Sequence, residues 1–243
     1  MQRRCGFSLI ELLVVVSIVA LLIGVLLPTL SAARSTATDT LCRANLRTVG
    51  QLVTMYADAH NEQLPIGYRG GRKQWNTMVY SGFADRFSLF GVVYRDGLMP
   101  EGSSAEAFYC PAETAPGQSY DTDVNPWPPG ASGSTSPSTQ GGYGLRPVVD
   151  FNGISPDGLT EYPTAGFARV TDFYDEALIA DTVNLPERVD SRHQTGVNTL
   201  YADWAVRWVE RDAFDAPLAA SPTVNNSFNA NMDAIWQALD DSR

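Results

Sequence analysis

Glu11, Cys42, Cys110, His193 and Asp203 are the side chains whose types and spacing could do chemistry in this 243-residue chain. His193 and Asp203 bracket nine residues, a separation at which an imidazole base and an orienting acid can meet. A general base also needs a nucleophile within reach. No G-x-S-x-G elbow occurs, and His60 is the only other histidine, so the parts of a nucleophilic triad are missing. The chain is expected not to be an enzyme. Structural roles are expected instead, His193 hydrogen-bonding across a hairpin entrance and Asp203 capping a turn through its own backbone.

Metal chemistry is not expected from these residues either. His60 and His193 with Cys42 and Cys110 lack zinc-finger spacing. Asp121, Asp123 and Asn125 open like a calcium loop, but Pro126 stands where Gly is required and Ser132 where the bidentate Glu belongs.

Glu11 stands at the edge of an apolar run that reaches Leu30. Between Leu12 and Leu27 the only residues not strongly apolar are Ser17, Ala20 and Gly24, with Pro28 just beyond. Each Leu, Ile or Val favours insertion by roughly 0.3–0.6 kcal/mol, against about 2.5–3.5 kcal/mol for an acid at mid-membrane. The segment therefore inserts despite its carboxylate. Residues 7–30 are long enough to cross the ~30 Å hydrocarbon core as a helix. Arg3 and Arg4 precede it and place the N-terminus in the cytoplasm, while Arg34, Arg43 and Arg47 weaken the asymmetry. The competing reading is a secretory signal peptide cut near Ser31-Ala32-Ala33. The apolar run exceeds the usual 7–15 residues of such a region, and Glu11 would lie inside it.

Gly6-Phe7-Ser8-Leu9-Ile10-Glu11-Leu12-Leu13-Val14-Val15 resembles the N-terminal signature of type IV pilins and type II secretion pseudopilins. The resemblance rests on a short basic leader, a Gly–Phe junction, a Glu at the fifth position after it and the apolar run. It implies that a prepilin peptidase cuts between Gly6 and Phe7 and methylates the new amine of Phe7. It also implies that like subunits pack through this helix into a filament, with the secretion or pilus assembly machinery as partner. A bundled Glu11 could then pair with the positive N-terminus of a neighbour, which offsets desolvation and fixes register. Within its own chain it also complements the helix dipole. The organisation expected is a cleaved leader over 1–6, an assembly helix over 7–30 in the bacterial inner membrane, and an extracytoplasmic domain over 31–243.

Lys and Arg total 17 against 27 acids, a net charge of −10. Nucleic-acid binding is not expected, because phosphate recognition calls for a basic surface. Cys5 would leave with the leader. Cys42 and Cys110 would then be an even pair in an oxidising compartment, either bonded, stapling the first helix to the head, or buried as two thiols. Cofactors are expected to be none. Pseudopilins can carry a calcium site in a C-terminal loop, and Asp150, Asn152, Asp172 and Asp175 offer oxygens for one.

Beyond the membrane segment, Cys42, Leu46, Val49, Val53 and Tyr56 recur at helical spacing. The pattern predicts one helix from about Leu9 to His60, on the order of 75–80 Å long at ~1.5 Å per residue. The stripe is too short for a coiled-coil seam and is expected to pack on a sheet. A short helix is expected near Ser88–Arg95, and a brief strand at Phe108-Tyr109-Cys110. Residues 112–142, rich in Pro, Gly, Ser and Thr, read as a long surface loop. Strands are expected at Tyr143–Val149, Ala177–Asp181 and within Gly196–Val209, where Asp203-Trp204 takes the place of a two-residue Asp-Gly hairpin turn. Trp204 suits positive φ poorly, so a longer or different turn is expected. Asp212–Asn229 reads as a linker, and Met232, Ile235, Trp236 and Leu239 mark an amphipathic C-terminal helix. His193-Gln194-Thr195-Gly196-Val197-Asn198 with Leu200-Tyr201-Ala202-Asp203 resembles the C-terminal H-x9-D-G signature of some pilin-like proteins, with Trp204 in place of the Gly. The fold class expected is α+β, a long N-terminal helix packed on a small antiparallel sheet with long loops. The head could serve filament structure, or instead display a binding surface for a glycan or exported substrate, with Trp75 and Trp127 as candidate contacts.

Overall fold

The computed structural model describes residues 8–65, 76–82, 85–99, 105–131, 136–146, 169–221 and 231–243. Gly6, Phe7, Trp75, Asp150 and Asn152 lie outside them. The architecture is α+β. Helix α1 runs from Leu9 to Ala59, one residue short of the end read from the sequence. Ser8 starts it, its carbonyl accepting from Leu12 N–H at 3.2 Å. Asn61 and Glu62 stop it by turning into the left-handed region, and Glu62 N–H closes on the Ala57 carbonyl at 2.7 Å. Pro28 lies inside the helix, where its ring nitrogen cannot donate to the Gly24 carbonyl.

Met1–Thr40 and Leu41–Arg243 are separate compact units. In the first, the apolar side chains from Leu9 to Leu30 are exposed around the helix. In the second, Cys42, Leu46, Val49 and Val53 are fully buried, so the helical stripe is a packing face. Those residues share a core with Tyr143, Leu145, Leu178, Ile179 and Leu200. The stripe meets a sheet rather than a second coil.

That sheet has four antiparallel strands in sequential order: β4 (Tyr143–Leu145), β5 (Ala177–Asp181), β6 (Gly196–Tyr201) and β7 (Val206–Glu210). Strands β5 and β6 are buried along their whole length because both faces are covered. Leu178, Ile179 and Leu200 join the core of α1. Ala177, Ala180, Val197 and Tyr201 join Phe214, Leu218 and the C-terminal helix. That helix, α5 (Asn231–Asp241), buries Met232, Ile235, Trp236 and Leu239, the four residues its periodicity marked. Gly50 permits the approach of α1 to the sheet, since a Cβ there would stand 2.6 Å from Leu200 Cδ2.

Several local expectations are corrected. Phe108-Tyr109-Cys110 is no strand: residues Ala105–Phe108 form a 3-10 turn and Tyr109 N–H closes it on the Glu106 carbonyl. The segment 112–142 is not only surface loop. It contributes β3 (Thr139–Gln140), which pairs with β1 (Met78–Ser81), itself paired with β2 (Arg86–Phe87) in a second antiparallel sheet of order β2-β1-β3. Asn125 is fully buried there and bonds the Ser119 and Gln140 carbonyls and the Gln140 N–H, replacing the order that apolar burial would supply. Helix α2 (Phe90–Arg95) starts two residues later than expected. Helix α3 (Pro186–Asp190) was not expected, and α4 (Asp215–Ala219) occupies part of the supposed linker, burying Leu218.

The β6–β7 hairpin closes through Ala202, Asp203 and Trp204. Trp204 N–H donates to the Tyr201 carbonyl at 2.8 Å, and Tyr201 N–H to the Ala205 carbonyl at 3.1 Å. The loop is longer than two residues, as expected, but Trp204 itself takes the positive φ of 62°. This is the left-handed position of a three-residue hairpin loop, where glycine is favoured.

Candidate functional site

Two groups of the expected site residues have distinct surroundings. At the N-terminal end, the Glu11 carboxylate accepts a hydrogen bond from the Ser8 backbone N–H at 2.8 Å. Ser8 and Glu11 stand three apart, the spacing at which a side chain reaches back to satisfy an orphan donor at a helix start. Glu11 therefore has a local role that the charge argument missed, although the S-x-x-E spacing was legible. Beyond it the helix is long and apolar enough to cross a membrane by length and composition.

In the second unit, Cys42 and Cys110 are joined in a disulfide, with Cα atoms 5.1 Å apart and a sequence separation of 68. Cys42 stands on the buried stripe of α1. Cys110 follows the 3-10 turn and is held beside it, because Asn45 Nδ2 donates to the Tyr109 carbonyl at 3.0 Å. The Tyr143 hydroxyl donates to the Cys42 carbonyl at 3.2 Å. Burial pushes the pKa of that phenol well above its ordinary range, so it remains a donor.

His193 stands just before β6, where its Nε2 lies 3.4 Å from Asn198 Nδ2. Its turn, between α3 and β6, is fixed by Arg211 Nη1, which donates to the Gln194 carbonyl at 3.1 Å. The ring goes inward: Nε2 is 3.3 Å from Cys110 Sγ and 3.6 Å from Asp181 Oδ2. Trp208 covers it edge-on, ring centroids 5.5 Å apart. One nitrogen thus faces both sulfur and carboxylate, whereas a relay triad uses the two ring nitrogens separately. Asp181, at the end of β5, accepts from Asn198 N–H at 2.7 Å and from Asn198 Nδ2 at 3.2 Å. Burial raises its pKa, and the His193, Arg192 and Asn198 contacts oppose that rise. Asp181 was not singled out from the sequence; an acid closing the apolar run Ala177–Ala180 was the available signal.

Arg192 Nε and Glu113 Oε2 lie 2.6 Å apart, each side chain 1% exposed. The Arg192 nitrogen and the Glu113 oxygen are not aligned for a hydrogen bond, so attraction between charges holds the pair.

Asp203 caps its turn as expected, accepting from Ala205 N–H at 3.0 Å. It also takes a two-pronged contact from Arg207, at 3.0 and 2.7 Å, which holds its carboxyl well below the usual range. The expected calcium oxygens that are described have other partners. Asp172 accepts from Arg169 N–H and Asp175 pairs with Arg243. Trp127 is partly buried and packs against Tyr94, Phe108, Tyr109 and Tyr120.

Comparison with known proteins bears on the N-terminal end. Residues 1–27 match the family model described as the prokaryotic N-terminal methylation motif. A 61-residue stretch is 44% identical to the type IV wide pilus major component PilA4 of Thermus thermophilus, covering 25% of this chain and 47% of that protein. The chain thus matches about half the length of that relative. No solved structure matches. With the methylation motif at its start and a pilus component among the proteins it matches, this chain is similar to type IV pilins over part of its length.

Proposed function

We propose that this protein is a structural subunit of a type IV pilus-like or type II secretion pseudopilus filament. A prepilin peptidase cuts between Gly6 and Phe7 and methylates Phe7. The mature chain waits in the bacterial inner membrane with its N-terminus on the cytoplasmic side and its 31–243 domain outside. It then joins like subunits through α1. The observation that supports this best is a helix start bearing the methylation motif, followed by apolar residues exposed on all sides except for one carboxylate. Lipid or neighbouring helices can cover such a surface, and Glu11 gives those helices a register mark.

Glu11 substitutions test the charge separately from the cap. Glu11→Gln keeps an acceptor for Ser8 N–H and removes the charge; Glu11→Ala removes both. Filament incorporation and membrane insertion are measured in parallel. The expected result is normal insertion of both variants and loss of incorporation in both. Normal incorporation of Glu11→Gln would refute a pairing role for the charge and leave Glu11 as a helix cap.

A further inference from the structure

Cys42 Sγ, Cys110 Sγ and His193 Nε2 all lie within 4.8 Å of one another in the interior of the 41–243 unit. They come from α1, from the segment after the 3-10 turn and from the turn before β6, so no short spacing announces them. We propose that, when the Cys42–Cys110 bond is reduced, these three atoms form a site for a soft divalent metal of the zinc type.

The donor set suits such an ion. Two thiolates and an imidazole are ligands of structural zinc sites. Bonds of ~2.3 Å to sulfur and ~2.0–2.1 Å to nitrogen in a tetrahedron separate the ligand atoms by about 3.5–3.8 Å. Cys110 Sγ and His193 Nε2 are already 3.3 Å apart. The principal motion required is the parting of the two sulfurs once their bond is gone.

The surroundings supply the outer contacts. Asp181 Oδ2 lies 3.6 Å from the same imidazole nitrogen. Its Oδ1 is buried with no hydrogen-bond partner among the described residues. This acceptor can bond a water held in the fourth position. Two thiolates neutralise a divalent ion, so the ion with its three first ligands adds no net charge to the interior. His193 sits on a turn whose next residues, Gln194 and Thr195, are exposed, which provides a way in.

The chemistry balances with a dithiol reductant. The reductant supplies two electrons and two protons, the protein S–S bond breaks into two thiols, and the reductant becomes a disulfide. Metal binding then displaces both thiol protons to solvent. The metal takes over the tie between Cys42 of α1 and the segment carrying Cys110. Crosslink and metal site are thus alternative states of the same staple.

The test uses the full chain in detergent micelles, reduced with dithiol, freed of reductant without oxygen and titrated with Co²⁺. One equivalent should give thiolate-to-cobalt charge-transfer absorption with the visible bands of a four-coordinate ion. The oxidised chain should give neither. His193→Ala should weaken Co²⁺ binding at least ~10-fold, the scale on which even outer partners of a metal matter. No charge-transfer band in the reduced chain, or a smaller loss in His193→Ala, overturns the proposal. If that variant does not fold, X-ray absorption of the zinc-loaded, reduced natural chain decides. Two sulfur neighbours and at least one nitrogen support the site, and any other sulfur count overturns it.

Discussion

Removing the Cys42–Cys110 crosslink should cost the 41–243 unit much of its stability. The bond joins positions 68 apart in sequence, and the chain-entropy relation gives about 4.4 kcal/mol at 25 °C for a loop of that length. Both sulfurs are buried in the core shared by α1 and the four-stranded sheet, so little strand or helix contact replaces the tie. At roughly 2–4 °C per kcal/mol for a unit of this size, the midpoint should fall by about 9–18 °C. The comparison is between the oxidised natural chain and the double variant Cys42→Ala with Cys110→Ala. Both are unfolded by denaturant in detergent with a chelator present, with tryptophan fluorescence as the readout. A difference below about 1 kcal/mol, at unchanged denaturant sensitivity, would refute the entropic reasoning. Reaction of the Cys42 and Cys110 thiols in the unreduced chain would refute the bond itself.

Glu113→Ala should destabilise by about 3–5 kcal/mol in chemical unfolding, because it leaves the Arg192 guanidinium buried without its counter-charge. Replacing Glu113 and Arg192 together by apolar residues should recover most of that loss, and a double variant as unstable as the single one would contradict the account. Trp204→Gly should be more stable than Trp204→Ala by about 1 kcal/mol, since both lose the ring but only glycine adopts φ of 62° freely; equal midpoints would remove the strain argument. The Arg207 contact lowers the folded-state pKa of Asp203 below its unfolded value of ~3.9. Its stabilisation is therefore present above that unfolded value and lost as pH falls through the lower folded one. Because about a third of each side chain is exposed, the effect should be no more than ~1 kcal/mol. Arg207→Ala should flatten the acid limb of the stability profile below about pH 4, and an unchanged limb would refute the linkage.

The parts legible in the sequence were those written in a strong local period. The apolar run and the stripe from Cys42 to Tyr56 specified α1 to within a residue. Ala177–Asp181 was read with its observed bounds, and the C-terminal helix declared its four buried residues. The second sheet was missed because β2 and β3 are two residues each, too short to show alternation. The Pro- and Ser-rich stretch hid Asn125, whose hydrogen bonds organise that segment without apolar burial. Trp204 was judged by intrinsic preference, and the hairpin overrode it. For the sites, Glu11 was visible as a lone carboxylate, while the meeting of His193 with Cys110 and Asp181 depends on three distant elements and has no linear signature.

The central claim, that the N-terminal end is processed for assembly, is tested most directly by the mass of the N-terminal peptide of the protein recovered from its native membrane. The account predicts a chain beginning at N-methylated Phe7 with Glu11 retained. A chain beginning at Arg34, or one still carrying residues 1–6 in assembled filaments, would contradict it.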